Sequence, residues 1–164
     1  MTTVSDKESV ARILSRKWVV DGIIMHTAFT LRTNETYISV NRPSVSSFQD
    51  DVCSFVTSHP DFYANDKQSA CQCALLNVGE IRAIDVMVNG KSLDVCVEVE
   101  PRDTFTKSHA GIFTRHDGVN LRSGETLSIE ELNKDVSADD ILLEVRDELL
   151  DLAHLEQYTI PSSA

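Results

Sequence analysis

Apolar residues change their spacing several times along this chain, and each change predicts an element. Val10, Ile13 and Leu14 recur at helical intervals behind Ser5 and Glu8, which stand at the spacing of a capping box. The pattern predicts a short helix over about 5–17, closed against the core by Trp18. Beyond the turn pair Asp21-Gly22, the runs IIMHTAFTL and TYISV are rich in β-branched and aromatic residues and are separated by Thr33-Asn34-Glu35. They predict a β-hairpin, with His26 inside its first strand. Ser46 or Ser47 then caps a helix to about Ser58, whose stripe is Val52, Phe55 and Val56 and which His59-Pro60 ends.

The next segments, ACQCALLNV, EIRAIDVMV and SLDVCVEVE, alternate apolar with polar or small residues. Leu93, Val95, Val97 and Val99 point one way, and Asp94, Cys96, Glu98 and Glu100 the other. Asn89-Gly90 is a hairpin signal, because a type I′ turn needs positive φ at both central residues. An antiparallel meander follows from these three runs. HAGIF adds a strand, Asp117-Gly118 a turn, and SIEEL, with Ser128 as a cap, a helical start. Ser137 precedes ADDILLEVRDELLDLAHLEQ, an amphipathic helix over 137–156 with Asp139 and Asp140 in its first turn. Leu142, Val145, Leu149, Leu152 and Ala153 form its main face, and Ile141, Leu143 and Leu150 broaden that face into a candidate homodimer surface. The chain reads as a single α+β domain over 1–164: a mainly antiparallel sheet, hairpin plus meander, with flanking helices and an acidic C-terminal helix.

Composition narrows the class. With 164 residues, 41% of them hydrophobic, the chain can bury a core without metal or disulfide staples. Residues 124–164 hold eleven acids against two bases, a net charge of −9, while residues 1–123 carry a net −2 of the total −11. A phosphate backbone meets repulsion at one end and no basic run elsewhere, so no nucleic-acid partner is expected. No stretch has the length of an apolar membrane span, and a cytoplasmic location is expected. Cys53, Cys71, Cys73 and Cys96 are expected to be free thiols; Cys71 and Cys73 lie two apart, which sets both on one face of a strand.

Candidate chemistry is sparse. The histidines, at positions 26, 59, 109, 116 and 154, have no metal-ligand spacing, and no metal or cofactor is expected; His154 reads as a solvated position on the acidic helix. His109 follows a polar loop holding Arg102, Asp103 and Lys107 and opens an apolar run. There an imidazole oriented by Asp103 can act as a general base, or simply pin its own loop by bonding a backbone carbonyl. Arg42, at the end of TYISV, is a candidate ligand-binding residue for a carboxylate or phosphate, or else pairs with the protein's own acid. No phosphate loop or nucleophile elbow is present, and Ser39 stands in no recognisable motif.

Three separated pieces, LSRKWVVDGIIMHTAF, TYISVNR and SHAGI, resemble a loose bacterial family of small uncharacterised proteins, with an Ala-Phe pair, a Ser-Val strand and a late His-Ala. The resemblance matches Ala28, Phe29, Ser39, Val40, His109 and Ala110, and implies no activity. Charge segregation favours a non-enzymatic binding or protein-interaction module, whose acidic helix meets a basic protein partner or a second copy of the chain. The alternative is a small hydrolase or transferase for a polar or phosphorylated small molecule, with His109 as acid or base, Asp103 orienting it and Arg42 gripping an anion. That alternative requires Arg42 and His109 to share a pocket.

Overall fold

The computed structural model describes residues 3–63, 70–102 and 106–159. In chain order the elements are β1 (Ser9–Leu14), a 3₁₀ turn (Arg16–Trp18), β2 (Val19–Val20), β3 (Ile23–Ile24), a second 3₁₀ turn (His26–Phe29), β4 (Tyr37–Asn41), α1 (Phe48–Ser58) and α2 (Pro60–Tyr63). They continue with β5 (Ala70–Asn77), α3 (Val78–Arg82), β6 (Met87–Val88), β7 (Lys91–Ser92), β8 (Val95–Pro101), β9 (His109–His116) and β10 (Val119–Asn120). The last are β11 (Thr126–Ile129), β12 (Lys134–Ser137), α4 (Ala138–Leu152) and β13 (His154–Thr159). The fold is α+β and its sheet is antiparallel throughout: β9, β4, β1, β5 and β13 lie side by side, and β8 and β10 pair with β9.

The central strand β1 corrects the first helix expected from the sequence. Its burial does not alternate, because both faces are covered. Val10 and Leu14 pack into the main core with Val40, Leu76, Ile141, Val145 and Leu149, while Ala11 and Ile13 face a second cluster with Phe48, Val52, Val56, Cys71 and Cys73. A strand buried on both sides shows apolar residues at Val10, Ile13 and Leu14, a spacing that also suits a helix. Half of the Ser5–Glu8 box forms: Ser5 N–H donates to Glu8 Oε2 at 2.8 Å, but Glu8 N–H donates to the Ser5 carbonyl at 3.0 Å and the Ser5 hydroxyl accepts from Lys7 N–H instead. It closes a turn that feeds a strand.

Other expectations shift in the same way. IIMHTAFTL does not pair with TYISV. Its first residues close the small β2–β3 hairpin on Asp21-Gly22, both at positive φ, and His26 lies in the following 3₁₀ turn, where Ala28 and Phe29 are buried. TYISV is β4, inserted between β1 and β9. The three-strand meander is also replaced. β5 pairs with β1 and β13, β8 pairs with β9, and Asn77 caps the intervening α3 by accepting from Glu80 N–H at 2.9 Å. Asn89-Gly90 does turn a hairpin, the short β6–β7 pair. SIEEL begins in β11, which forms a hairpin with β12, and its helical start is a single 3₁₀ turn over Glu130–Leu132 with Ile129, not Ser128, at the N-cap. Ser137 caps α4 as expected, but the helix stops at Leu152, and HLEQYT becomes the sheet's edge strand with His154 exposed at its start. Ile141 is fully buried in the core and Leu150 packs against it, so the broadened helix face is largely this domain's own interior.

α1 starts after Ser47 and ends at Ser58 as expected, but the Ser47 side chain does not cap it: its hydroxyl donates to Asp51 Oδ2 instead. Its buried residues are Phe48, Val52 and Val56, and Phe55 faces outward. All four cysteines are free, and Cys71 and Cys73 are buried on the α1 face of β5. Among the described residues no helix is long and apolar enough to cross a membrane.

Two local features generate predictions. Arg42, only 6% exposed, grips Glu8 with Nε and Nη2, each at 3.0 Å, and Ser44 and Ser5 complete the carboxylate's shell. Burial alone would raise the Glu8 carboxyl, but these hydrogen bonds and the Arg42 charge outweigh it and hold its pKa at about 2. A carboxyl depressed in the folded state contributes stability above its unfolded pKa and loses it as pH falls towards the folded value. Glu8→Gln is therefore expected to cost about 2–3 kcal/mol at pH 7 in urea unfolding, with the difference closing between about pH 4.5 and pH 2. Gly111 is the second feature. A Cβ there would lie 2.8 Å from Tyr37 Cδ2 and 2.9 Å from Phe113 Cε2, and those rings are held by each other and by Arg102 and Arg115 over their faces. Gly111→Ala is expected to lower stability by about 1–3 kcal/mol, read as a drop in Tm.

Candidate functional site

β1 and β4 pair only at Ala11 opposite Asn41, whereas β1 and β5 pair along six residues. Continuing the first register would set Ile13 opposite Ser39; instead the strands part, and the Arg12 side chain occupies the opening. Its Nη1 donates to the Ser39 carbonyl and its Nε to the Ala28 carbonyl, both at 2.9 Å, and the guanidinium lies 5.0 Å from the centre of the Trp18 ring. Beside this opening is a cavity of about 350 Å³, lined by Arg12, Ile13, Ser39, Asn41, Asp51, Phe55, Tyr63, Thr106 and His109.

Alternation along β4 and β9 explains which side chains reach it. Ile38 and Val40 point into the main core, so Ser39 and Asn41 point to the α1 face. Asn41 is opposite His109 and Ser39 opposite Gly111. The imidazole therefore leans along its own face towards Ser39, diagonal to it across the β4–β9 pair. Ser39 Oγ and His109 Nε2 are 2.6 Å apart, and His109 Nδ1 is 3.0 Å from the Arg102 carbonyl. A carbonyl can only accept, so Nδ1 carries the proton, Nε2 presents a lone pair, and the Ser39 hydroxyl donates to it. Burial is the main influence on the imidazole and lowers its pKa below 6.5; the nearby Arg102 charge acts the same way, against the hydrogen bond to the Arg102 carbonyl. The ring is neutral at pH 7. His109 is 9% exposed, while Ser39 is open to solvent.

The backbone before His109 is held by Ser108, which is fully buried and bonded on every side. Its N–H and Oγ–H donate to Asp51 Oδ2 at 3.1 and 2.6 Å, its Oγ accepts from Asn41 Nδ2 at 2.9 Å, and its carbonyl accepts from Arg42 N–H at 2.8 Å. Ser47 adds a third link to the same Asp51 oxygen at 2.8 Å. Burial would raise the Asp51 carboxyl, but the hydrogen bonds from Ser108, Ser47 and Thr106 prevail and keep it below the usual carboxylate range. Asp51 is thus an anchor for the segment that positions the imidazole.

The residues singled out in the sequence have unequal fates. His109 does bond a backbone carbonyl with one nitrogen, and with the other it meets the hydroxyl of Ser39, a position the family resemblance matched without giving it a role. Arg42 lies next along the chain from Asn41, but its guanidinium turns to Glu8, away from the cavity's lining residues. Asp103 lies outside the described residues. The sequence offers no role for Ser39 and does not single out Arg12 or Asp51, because their partners are supplied by other strands and by α1. Among the described residues no three His, Cys, Asp or Glu side chains converge as a metal site would require. No family model, curated protein or solved structure matches this chain, so its chemistry rests on the geometry of these residues.

Proposed function

We propose that the chain is a small hydrolase of acyl compounds, with Ser39 as nucleophile and His109 as its general base. One observation carries the reading: the 2.6 Å contact between Ser39 Oγ and His109 Nε2, on a ring fixed at Nδ1 by the Arg102 carbonyl. A nucleophile in reach of a base that a third group orients is the arrangement hydroxyl catalysis needs. In the first step Ser39 Oγ bonds to the acyl carbon as its proton passes to Nε2, and the departing alcohol or amine takes that proton when the acyl bond breaks. Water then gives a proton to Nε2, attacks the acyl-serine and releases the acid, and the proton returns to Ser39. The backbone carbonyl takes the orienting place that a carboxylate holds in a triad.

A second reading, a non-enzymatic module that docks a basic partner, is favoured by the solvent-facing acids of α4: Asp140, Glu144, Asp147, Glu148 and Asp151. The two differ at Ser39. A fluorophosphonate probe, which phosphonylates activated serines whatever their substrate, is expected to modify the full chain at Ser39, as mapped by peptide mass spectrometry. Ser39→Ala is expected to abolish that adduct, and His109→Gln to slow it at least about 100-fold with the circular dichroism spectrum unchanged. Absence of the Ser39 adduct, or equal rates in His109→Gln, would leave the interaction module standing.

The labelling rate also has an expected pH profile. Protonated His109 cannot accept the serine proton, so the rate should fall with acid around a midpoint below 6.5, lower than for an unburied imidazole. A midpoint at or above 6.5 would contradict the neutral, buried ring.

A further inference from the structure

Among the described residues the Arg12 guanidinium is a cation with no ion-paired acid. Burial lowers its pKa to about 10, which leaves it charged at neutral pH. Its hydrogen bonds go to two carbonyls, and among the described residues no carboxylate comes within ion-pair distance, although Glu35 is near enough to favour the charge. Nη2 makes no hydrogen bond to a described residue. A charge held partly out of water is costly unless an opposite charge meets it. The guanidinium also lines two cavities, the one holding Ser39 and a second of about 370 Å³ that includes Trp18, Arg32 and Glu35; Tyr63 lines both as well.

We propose that Arg12 receives the carboxylate of a monoanionic ligand, placing an acyl group of that ligand beside Ser39. The assignment names the substrate class of the hydrolase reading and rests on it for the role of the serine. A carboxylate suits the group better than a phosphate does. Two of the three guanidinium nitrogens are already committed, so one planar oxyanion can be met at the remaining edge, and a dianion would face Glu35 with too few donors. Ile13 and Phe55 give the same cavity apolar wall for a short carbon chain.

The molecule carries its own reporter, since Trp18 is the chain's single tryptophan and stacks with Arg12. Sodium butyrate, titrated at pH 7 and constant ionic strength, is expected to change Trp18 fluorescence saturably, while butyramide, its neutral counterpart, does not. Inorganic phosphate should act more weakly than butyrate. Arg12→Gln should raise the half-saturating butyrate concentration at least about tenfold, and Arg12→Lys should restore part of the loss. Because Arg12 also ties two carbonyls, a second measurement uses the unmodified chain: butyrate, and not butyramide, should slow fluorophosphonate labelling of Ser39. Equal effects of butyrate and butyramide, or no effect of either, would overturn the proposal, and stronger binding of phosphate would overturn the carboxylate assignment. A butyrate response without Ser39 labelling would discard the nucleophile and keep the anion site; labelling that ignores butyrate would do the reverse.

Discussion

The parting of β1 from β4 is the constraint on which the site depends. An antiparallel ladder satisfies backbone groups along its length, and opening one exposes carbonyls that need donors. Here one guanidinium serves the Ser39 and Ala28 carbonyls together and stacks on Trp18, joining β4 to the 3₁₀ turn that carries Ala28 and Phe29. The same opening lets side chains of β4 and β9 face a cavity where a continued ladder would have brought Ile13 against Ser39. Structure and chemistry therefore share a residue: the cation that satisfies the parted backbone also places a positive charge in the wall of a cavity that Asp51 lines as well.

That local sign matters because the chain as a whole is strongly acidic. The acids concentrate on α4, whose Ile141, Val145 and Leu149 pack into the main core, on the sheet face away from α1. The cavity lies on the α1 side, where Asp51 is occupied by Ser47 and Ser108. The solvent-facing acids of α4 are screened by physiological salt, and none of them lies within ion-pair distance of the Arg12 guanidinium.

The fold class was legible in the sequence, and so were elements governed by local chemistry. The Ser137 cap, the α1 stripe at Val52 and Val56, the Asp21-Gly22, Asn89-Gly90 and Asp117-Gly118 turns, and the alternation from Leu93 to Val99 all appear where residue pattern placed them. Pairing was not legible. β1 looked helical because burial on both faces erased its alternation, and IIMHTAFTL looked like a strand although its Ala28 and Phe29 fill the core from a 3₁₀ turn. HLEQYT was absorbed into the preceding helix because a polar edge strand has little apolar signal of its own.

The site shows the same division between local and non-local information. His109 could be singled out from its loop, yet the group that gives it chemical meaning lies 70 residues earlier on the neighbouring strand, and its orienting carbonyl belongs to Arg102. No spacing rule connects Ser39 to His109; the β4–β9 register does, by setting Asn41 against His109 and a glycine against Ser39. The space over Gly111 is taken by the Tyr37 and Phe113 rings, which a larger residue there would meet. A single small residue thus bears on strand packing beside the candidate site: it admits the Tyr37 and Phe113 rings on a strand pair that also carries Ser39 and His109.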